Sequence, residues 1–140
     1  MARLSRSLID PAWSGGADGA LLASRLVIGA FLLWGVADNI LSSARMAEFA
    51  QFLAANGFPI PHVMATLSVW VQALVGVALI LGLFTRWAGL LCAINFAVAV
   101  AMVDAKLGVR GAFPATALVL FGLLFATLGG GRHALDRRVR

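Results

Sequence analysis

Three side chains with hydrogen-bonding chemistry interrupt long apolar runs in this chain: Arg25, Gln72 and Asn95. An arginine offers five N–H donors and no acceptor, while the two amides each donate and accept. Placed together inside an apolar medium, they would form a donor–acceptor cluster able to hold a carbonyl or an anionic group. A charge at a bilayer centre costs about 2.5 kcal/mol or more, so such a residue is paired, near an end, or functional. Two plainer readings stand beside this one. Arg25 could bury its stem and snorkel its head toward lipid phosphates. Gln72 and Asn95 could simply bond across helices. Two tryptophans, Trp34 and Trp70, present flat faces that could stack on a quinone-like ring, or serve as core or lipid-facing aromatics. Asp38, Asn39 and His62 form a second polar set, expected at a helix end in water, where they could meet Arg45, Lys106 or Arg110.

Other chemistry is missing. His62 lies in a loop and His133 in the C-terminal tail, so no histidine is placed to ligate haem from within an apolar run. No group of His, Cys, Asp and Glu has metal-ligand spacing, and no phosphate-loop motif or Ser-His-Asp set is present. The single cysteine, Cys92, cannot form an intrachain disulfide. Neither haem nor metal is expected on this chain alone, and catalysis by the chain alone is not expected.

The elements that must position these residues follow from composition. Of 140 residues, 61% are hydrophobic and 12% charged, and the mean hydropathy is +0.95. A soluble fold of this size buries only about two-thirds of its surface and could not hide so much apolar side chain. A membrane-spanning helix needs about 20 apolar residues. The pattern predicts an all-α polytopic bundle with four spans, at about 20–41, 65–84, 87–103 and 112–128. Pro114 falls in the first turn of the last span, and Thr85-Arg86 forms the tight turn between the second and third. The first 19 residues are polar, with a helical turn expected at 4–9, and lack the apolar core of a signal peptide.

Residues 44–55 read as a short amphipathic helix between the first and second spans. Met46, Phe49, Ala50 and Leu53 follow the i, i+3, i+4, i+7 pattern. This helix is expected to lie in the membrane interface. At about 1.5 Å per residue, Arg25, Asn95 and Gln72 fall roughly 8, 12 and 18 Å in from one face, close enough for one cluster. Asp38 lies about 20 Å further along the axis than Arg25 and is not its partner.

Net charge is +5. Both termini and Arg86 share one side, with seven Lys and Arg against three on the other. The positive-inside rule then predicts a multi-pass protein with both termini cytoplasmic. Trp13 and Trp87 fit an aromatic belt on that side. Basic residues at turns and ends serve orientation, so no nucleic acid is expected as partner. Gly89, Ala93, Ala97, Ala101 and Ala105 make a small-residue stripe on the third span. Such stripes pack helices closely, within one bundle or between chains.

Four motifs, in order, carry a family resemblance. They are Arg25-Leu26-x-x-Gly29-x-Phe31-Leu32-x-x-Gly35, and Phe49-Ala50-x-Phe52-Leu53-Ala54-x-x-Gly57-x-Pro59-x-Pro61. Then come Gln72-x-x-x-Gly76 with Leu81-Gly82-Leu83-Phe84-Thr85-Arg86, and Gly129-Gly130-Gly131-Arg132-x-x-Leu135-Asp136. The chain resembles the DoxX family of small four-helix bacterial membrane proteins. Two departures from the family pattern are Asp38, where a lysine is frequent, and Gln72, where a glutamate is frequent. The resemblance implies a membrane subunit of a redox system. One relative is the membrane component of a thiosulfate:quinone oxidoreductase, and others accompany superoxide-detoxifying, sulfur-transfer or metal-stress proteins.

The sequence therefore supports a non-catalytic membrane subunit or anchor of a quinone-linked or thiol-stress redox system. Its surroundings would be the lipid bilayer and a redox partner protein or a second copy of itself, with quinone as the candidate cofactor. Two alternatives are a small transporter or exporter for a stress-related solute or metal, and a structural scaffold. Against transport, no inverted repeat or broken-helix pair is visible.

Overall fold

A computed structural model describes residues 16–138 of the chain. Its five helices are α1 (Ala17–Leu41), α2 (Ser43–Ala55), α3 (Pro61–Leu81), α4 (Thr85–Met102) and α5 (Gly108–Leu128). A 3₁₀ segment, Asp104–Leu107, leads into α5, and another, Leu135–Arg137, lies in the tail. The described residues contain no strand. Among the described residues, four helices are long and apolar enough to cross a membrane. The chain is a multi-pass integral membrane protein, and the exposed apolar faces of these helices contact lipid. The expected helical turn at 4–9 and Trp13 lie outside the described residues.

The helices form two pairs, α1 with α3 and α4 with α5, joined where α3 meets α4. Each pair crosses at glycines. A Cβ on Gly76 would stand 2.9 Å from the Gly29 carbonyl oxygen, and one on Gly122 would stand 2.7 Å from the Gly89 carbonyl oxygen. In lipid the hydrophobic effect gives no drive between helices, so close backbone approach and dispersion must hold them. The core between the pairs contains Leu32, Val75, Leu79, Cys92, Leu118 and Phe125.

The small-residue stripe divides. Gly89 and Ala93 are buried in the α4–α5 seam, whereas Ala97, Ala101 and Ala105 are exposed. Four residues advance an α-helix by about 400°, so each step drifts about 40° off the seam. A four-residue repeat cannot follow one straight neighbour for long. Ala105 falls beyond α4, in the 3₁₀ segment.

Helix α2 is capped by Ser42, whose hydroxyl accepts from the Arg45 N–H. Its apolar face is the one read from the sequence. Met46 and Phe49 pack on Val36, Val69 and Ala73. Ala50 and Leu53 pack with Ala65. It covers one end of the α1–α3 pair, opposite the end at which α1 begins and α5 finishes, called the terminal end below.

Several helix bounds differ from expectation; α1 and α3 open at Ala17 and Pro61 rather than at 20 and 65. The turn between α3 and α4 is Gly82-Leu83-Phe84 rather than Thr85-Arg86, because Gly82 takes φ 69° and ends α3. Thr85 already opens α4. Helix α5 starts at Gly108, not 112, which carries the apolar helix through Arg110 and puts Pro114 past the first turn.

Candidate functional site

The expected trio of Arg25, Gln72 and Asn95 does not meet at one point. The structure brings Gln72 and Asn95 together and places Arg25 elsewhere. Side-chain direction explains the separation. A helical Cα–Cβ bond tilts toward the helix N-terminus. Helix α1 begins at the terminal end of the bundle, so Arg25 extends toward that end. Helix α3 runs the opposite way, so Gln72 tilts away from it.

At the terminal end, Arg25 is only 1% exposed and Thr85 is fully buried. Arg25 lies beneath the chain's C-terminal tail. A Cβ on Gly130 would stand 2.8 Å from Arg25 Nη1 and 2.7 Å from Thr85 Oγ1. Any side chain on Gly82 would collide with the same guanidinium. Arg25 Nε and Nη1 and Thr85 Oγ1 have no hydrogen-bond partner among the described residues. The Asp136 carboxylate supplies the opposing charge. The head follows the snorkelling direction, but it ends under a roof of protein rather than in water.

That roof is fastened by four hydrogen bonds. Asp136 Oδ1 accepts from the Phe84 N–H at 2.6 Å and Oδ2 from the Thr85 N–H at 2.8 Å. The Asp136 N–H donates to the Gly82 carbonyl at 3.0 Å. On the other side, Asp18 Oδ1 accepts from the Arg132 N–H at 2.8 Å. Ala134 is buried between these anchors, against Gly82 and Gly130. Asp136 therefore caps α4 from 51 residues away in sequence, where a carboxylate is favoured by the free N–H groups and the helix dipole. It also holds Phe84 at φ 50°, a left-handed conformation that costs a non-glycine residue about 1–2 kcal/mol. The two bonded N–H groups fix that strained residue from both sides.

Gln72 and Asn95 lie on the wall of a different feature. A groove of about 510 Å³ opens laterally between α3 and α4, roofed by Phe49, Phe52 and Phe58. Its walls are largely Leu, Ile, Val, Met and Phe. One polar string crosses them: Gln72 Nε2 donates to Ser68 Oγ at 3.1 Å, and Ser68 Oγ donates to Asn95 Oδ1 at 3.0 Å. The Asn95 amide nitrogen makes no hydrogen bond to a described residue, so its N–H groups are available to a ligand acceptor. The Gln72 carbonyl oxygen is likewise available to a donor. Asp104 stands at the groove's outer margin.

Neither tryptophan lines this groove. Trp34 is 85% exposed on the lipid face of α1. Trp70 is half-exposed and borders a shallow depression with His62, Val63, Thr66 and Leu67. Asp38 and Asn39 turn to the start of α2. Asn39 Nδ2 donates to the Arg45 carbonyl at 3.1 Å, and Asp38 Oδ2 lies 4.0 Å from Arg45 Nε. His62 stands at the first turn of α3 and is exposed. Of the cations that could meet Asp38, the structure selects Arg45. No group of three or more His, Cys, Asp or Glu could hold a metal among the described residues.

Three participants were not singled out from the sequence, Ser68, Gly82 and Asp136, and Thr85 was noted only as part of a turn. Asp136 and Gly82 stood inside motifs without a stated role. Ser68 was detectable in principle, since it lies one turn before Gln72 on the same helix face.

Four membrane-crossing helices, an amphipathic cap and a folded-back tail define a small polytopic bundle. The DoxX family model matches residues 20–105, more than half of the chain, and the chain belongs to the DoxX family. That match ends before α5, so the tail motif at 129–136 lies outside it. No curated protein and no solved structure shows significant similarity to the chain.

Proposed function

We propose that this protein is a non-catalytic membrane subunit of a quinone-linked redox system, and that the α3–α4 groove receives the quinone. The observation that carries this reading is the groove's chemistry. It is an apolar slot, open toward lipid, with one string of neutral polar groups on its wall. Ligand pockets of this kind use apolar walls for affinity and a few polar groups for orientation. An Asn95 N–H would donate to a quinone carbonyl, and the Gln72 carbonyl oxygen would accept from a quinol hydroxyl. Phe49, Phe52 and Phe58 at the roof would contact the ring, a role the sequence suggested for Trp34 and Trp70. A quinone diffuses within the bilayer, so a lateral mouth suits its entry. The cytoplasmic placement of both termini rests on the charge count, and the bacterial inner membrane rests on what the family resemblance implies.

The test is equilibrium binding of a short-chain ubiquinone to the purified protein in mild detergent. Saturable binding that weakens about tenfold or more in Asn95→Leu is the expected result, since a site built to hydrogen-bond a group loses strongly without it. Absence of saturable binding by the wild-type protein overturns the quinone assignment. Native co-purification with mass spectrometry tests the subunit reading separately. A flavin-, haem- or metal-bearing partner supports it, and reproducible isolation of this chain alone counts against it.

A further inference from the structure

The terminal end of the bundle carries a second cavity, of about 560 Å³, which the redox reading does not use. Its lining is divided by chemistry. Leu83, Phe84, Trp87 and Leu128 form an apolar side, and the last three are exposed on the outer surface of the bundle. Arg86 and Arg137 are its basic lining, and Gly129–Gly131 complete it, with Arg86 Nε 3.4 Å from the Cβ position of Gly129. Neither arginine forms an ion pair with a described residue. The contrast with Arg45 and Arg132 is direct, because each of those is paired with a carboxylate.

Two further observations concern charge. Arg25 lies behind the glycine wall, with Nη1 2.8 Å from the Cβ position of Gly130 and with two nitrogens that have no hydrogen-bond partner among the described residues. Asp136 is the one carboxylate on the lining, and both its oxygens accept N–H groups at the start of α4. Three guanidinium groups therefore face or back the cavity against one engaged carboxylate.

We propose that this cavity binds the phosphate headgroup of an anionic phospholipid from the leaflet at the terminal end. Arg86 and Arg137 would engage the phosphate. Arg25 would add its field from behind Gly130. The acyl chains would run out along Trp87 and Leu128 onto the lipid-facing surface. Charge complementarity selects an anion, and the continuous apolar side selects a lipid over a free ion. Basic pockets at membrane helix ends bind anionic headgroups in this way.

The test is native mass spectrometry of the full chain in mild detergent, titrated with phosphatidylglycerol and, separately, with phosphatidylcholine. Preferential retention of phosphatidylglycerol is expected, falling about 30-fold in Arg86→Gln/Arg137→Gln. Lys106→Gln/Arg110→Gln, at the opposite end, should leave retention unchanged. Both target arginines are exposed, so the double variant should fold, and single Arg86→Gln gives a second reading at lower cost to net charge. Equal retention of the two lipids overturns the proposal. So does equal loss in the opposite-end variant. Displacement of the lipid by millimolar inorganic phosphate assigns the site to a free anion and overturns the lipid assignment.

Discussion

The two polar regions of this bundle solve opposite problems. At the terminal end a full charge is buried, and the chain folds back on itself to accommodate it. Gly82 and Gly130 make room, Asp136 supplies the counter-charge, and Asp18 holds the tail in place. In the α3–α4 groove the polar groups on the wall between the helices are neutral, bonded in a short string, and open to a ligand, with the one carboxylate, Asp104, at the margin. The difference teaches what each chemistry requires. A buried ion demands a closed, over-determined enclosure, because leaving it unpaired is severe. A neutral amide can stand at an open wall with a donor to spare. The first region is built to stay shut and the second to exchange occupants.

The harshest way to break this contrast is to deny the terminal end its space. Gly82→Val would place a β-branched side chain at φ 69° and against both Arg25 and the Ala134 backbone. Left-handed strain and overpacking together should cost about 2–5 kcal/mol. The expected outcome is a large fall in thermal midpoint in detergent, with the tail becoming sensitive to protease. A midpoint within a degree of wild type would show that the tail is not packed over Arg25.

Asp136→Asn should come next. It keeps the shape, but removes the charge that caps α4 and faces Arg25. Loss of a charged helix cap costs about 1–2 kcal/mol, and Arg25 loses the field of that carboxylate as well, so about 2 kcal/mol is expected. The double variant Arg25→Met/Asp136→Asn should recover part of that loss, because no uncompensated ion remains. If the double variant is no more stable than Asp136→Asn, the two groups are not energetically coupled.

Much of this architecture was legible beforehand. The four spans follow from apolar run length, and the α2 face from its 3.6-residue period. Met46, Phe49, Ala50 and Leu53 are the residues that pack. The gathering of polar groups was legible only in part. Depth along an axis can be estimated from residue number, which brought Arg25, Gln72 and Asn95 to similar heights. Which way a side chain leans depends on helix direction, and the tilt of Arg25 toward the α1 N-terminus removes it from the others. The roof was hidden for a different reason. Asp136 lies in a short basic tail, and its partners at Phe84 and Thr85 are more than 50 residues away. No local pattern announces a helix capped from such a distance. The stripe on α4 serves the α5 seam only at Gly89 and Ala93, because a four-residue spacing winds off a straight neighbour and leaves Ala97, Ala101 and Ala105 exposed.

The groove end should respond more gently. Ser68→Ala removes the hinge of the polar string, since Ser68 both accepts from Gln72 and donates to Asn95. Interhelical hydrogen bonds in membranes average about 0.6 kcal/mol, so stability should fall by about 1 kcal/mol or less. Ligand affinity should fall further than stability, because Asn95 would lose the bond that orients its amide. A stability loss as large as that of Asp136→Asn would erase the distinction between the two regions and make the string a structural lock.

The smallest effect is expected at Trp34, and it tests which aromatics belong to the groove. Trp34→Leu changes a residue exposed to lipid on α1, away from the groove lining. Stability should move by no more than about 0.5 kcal/mol, as for other exposed substitutions. Quinone binding should be unchanged, whereas Phe52→Ala, at the roof, should weaken it several-fold. The two substitutions separate a ligand contact from a lipid contact on chemical grounds. Both remove aromatic area from the same small bundle, but only one of the rings faces the string of amides. Equal weakening by both would mean that the ring packs outside the groove, and the polar wall would then have to be read as a bond between helices.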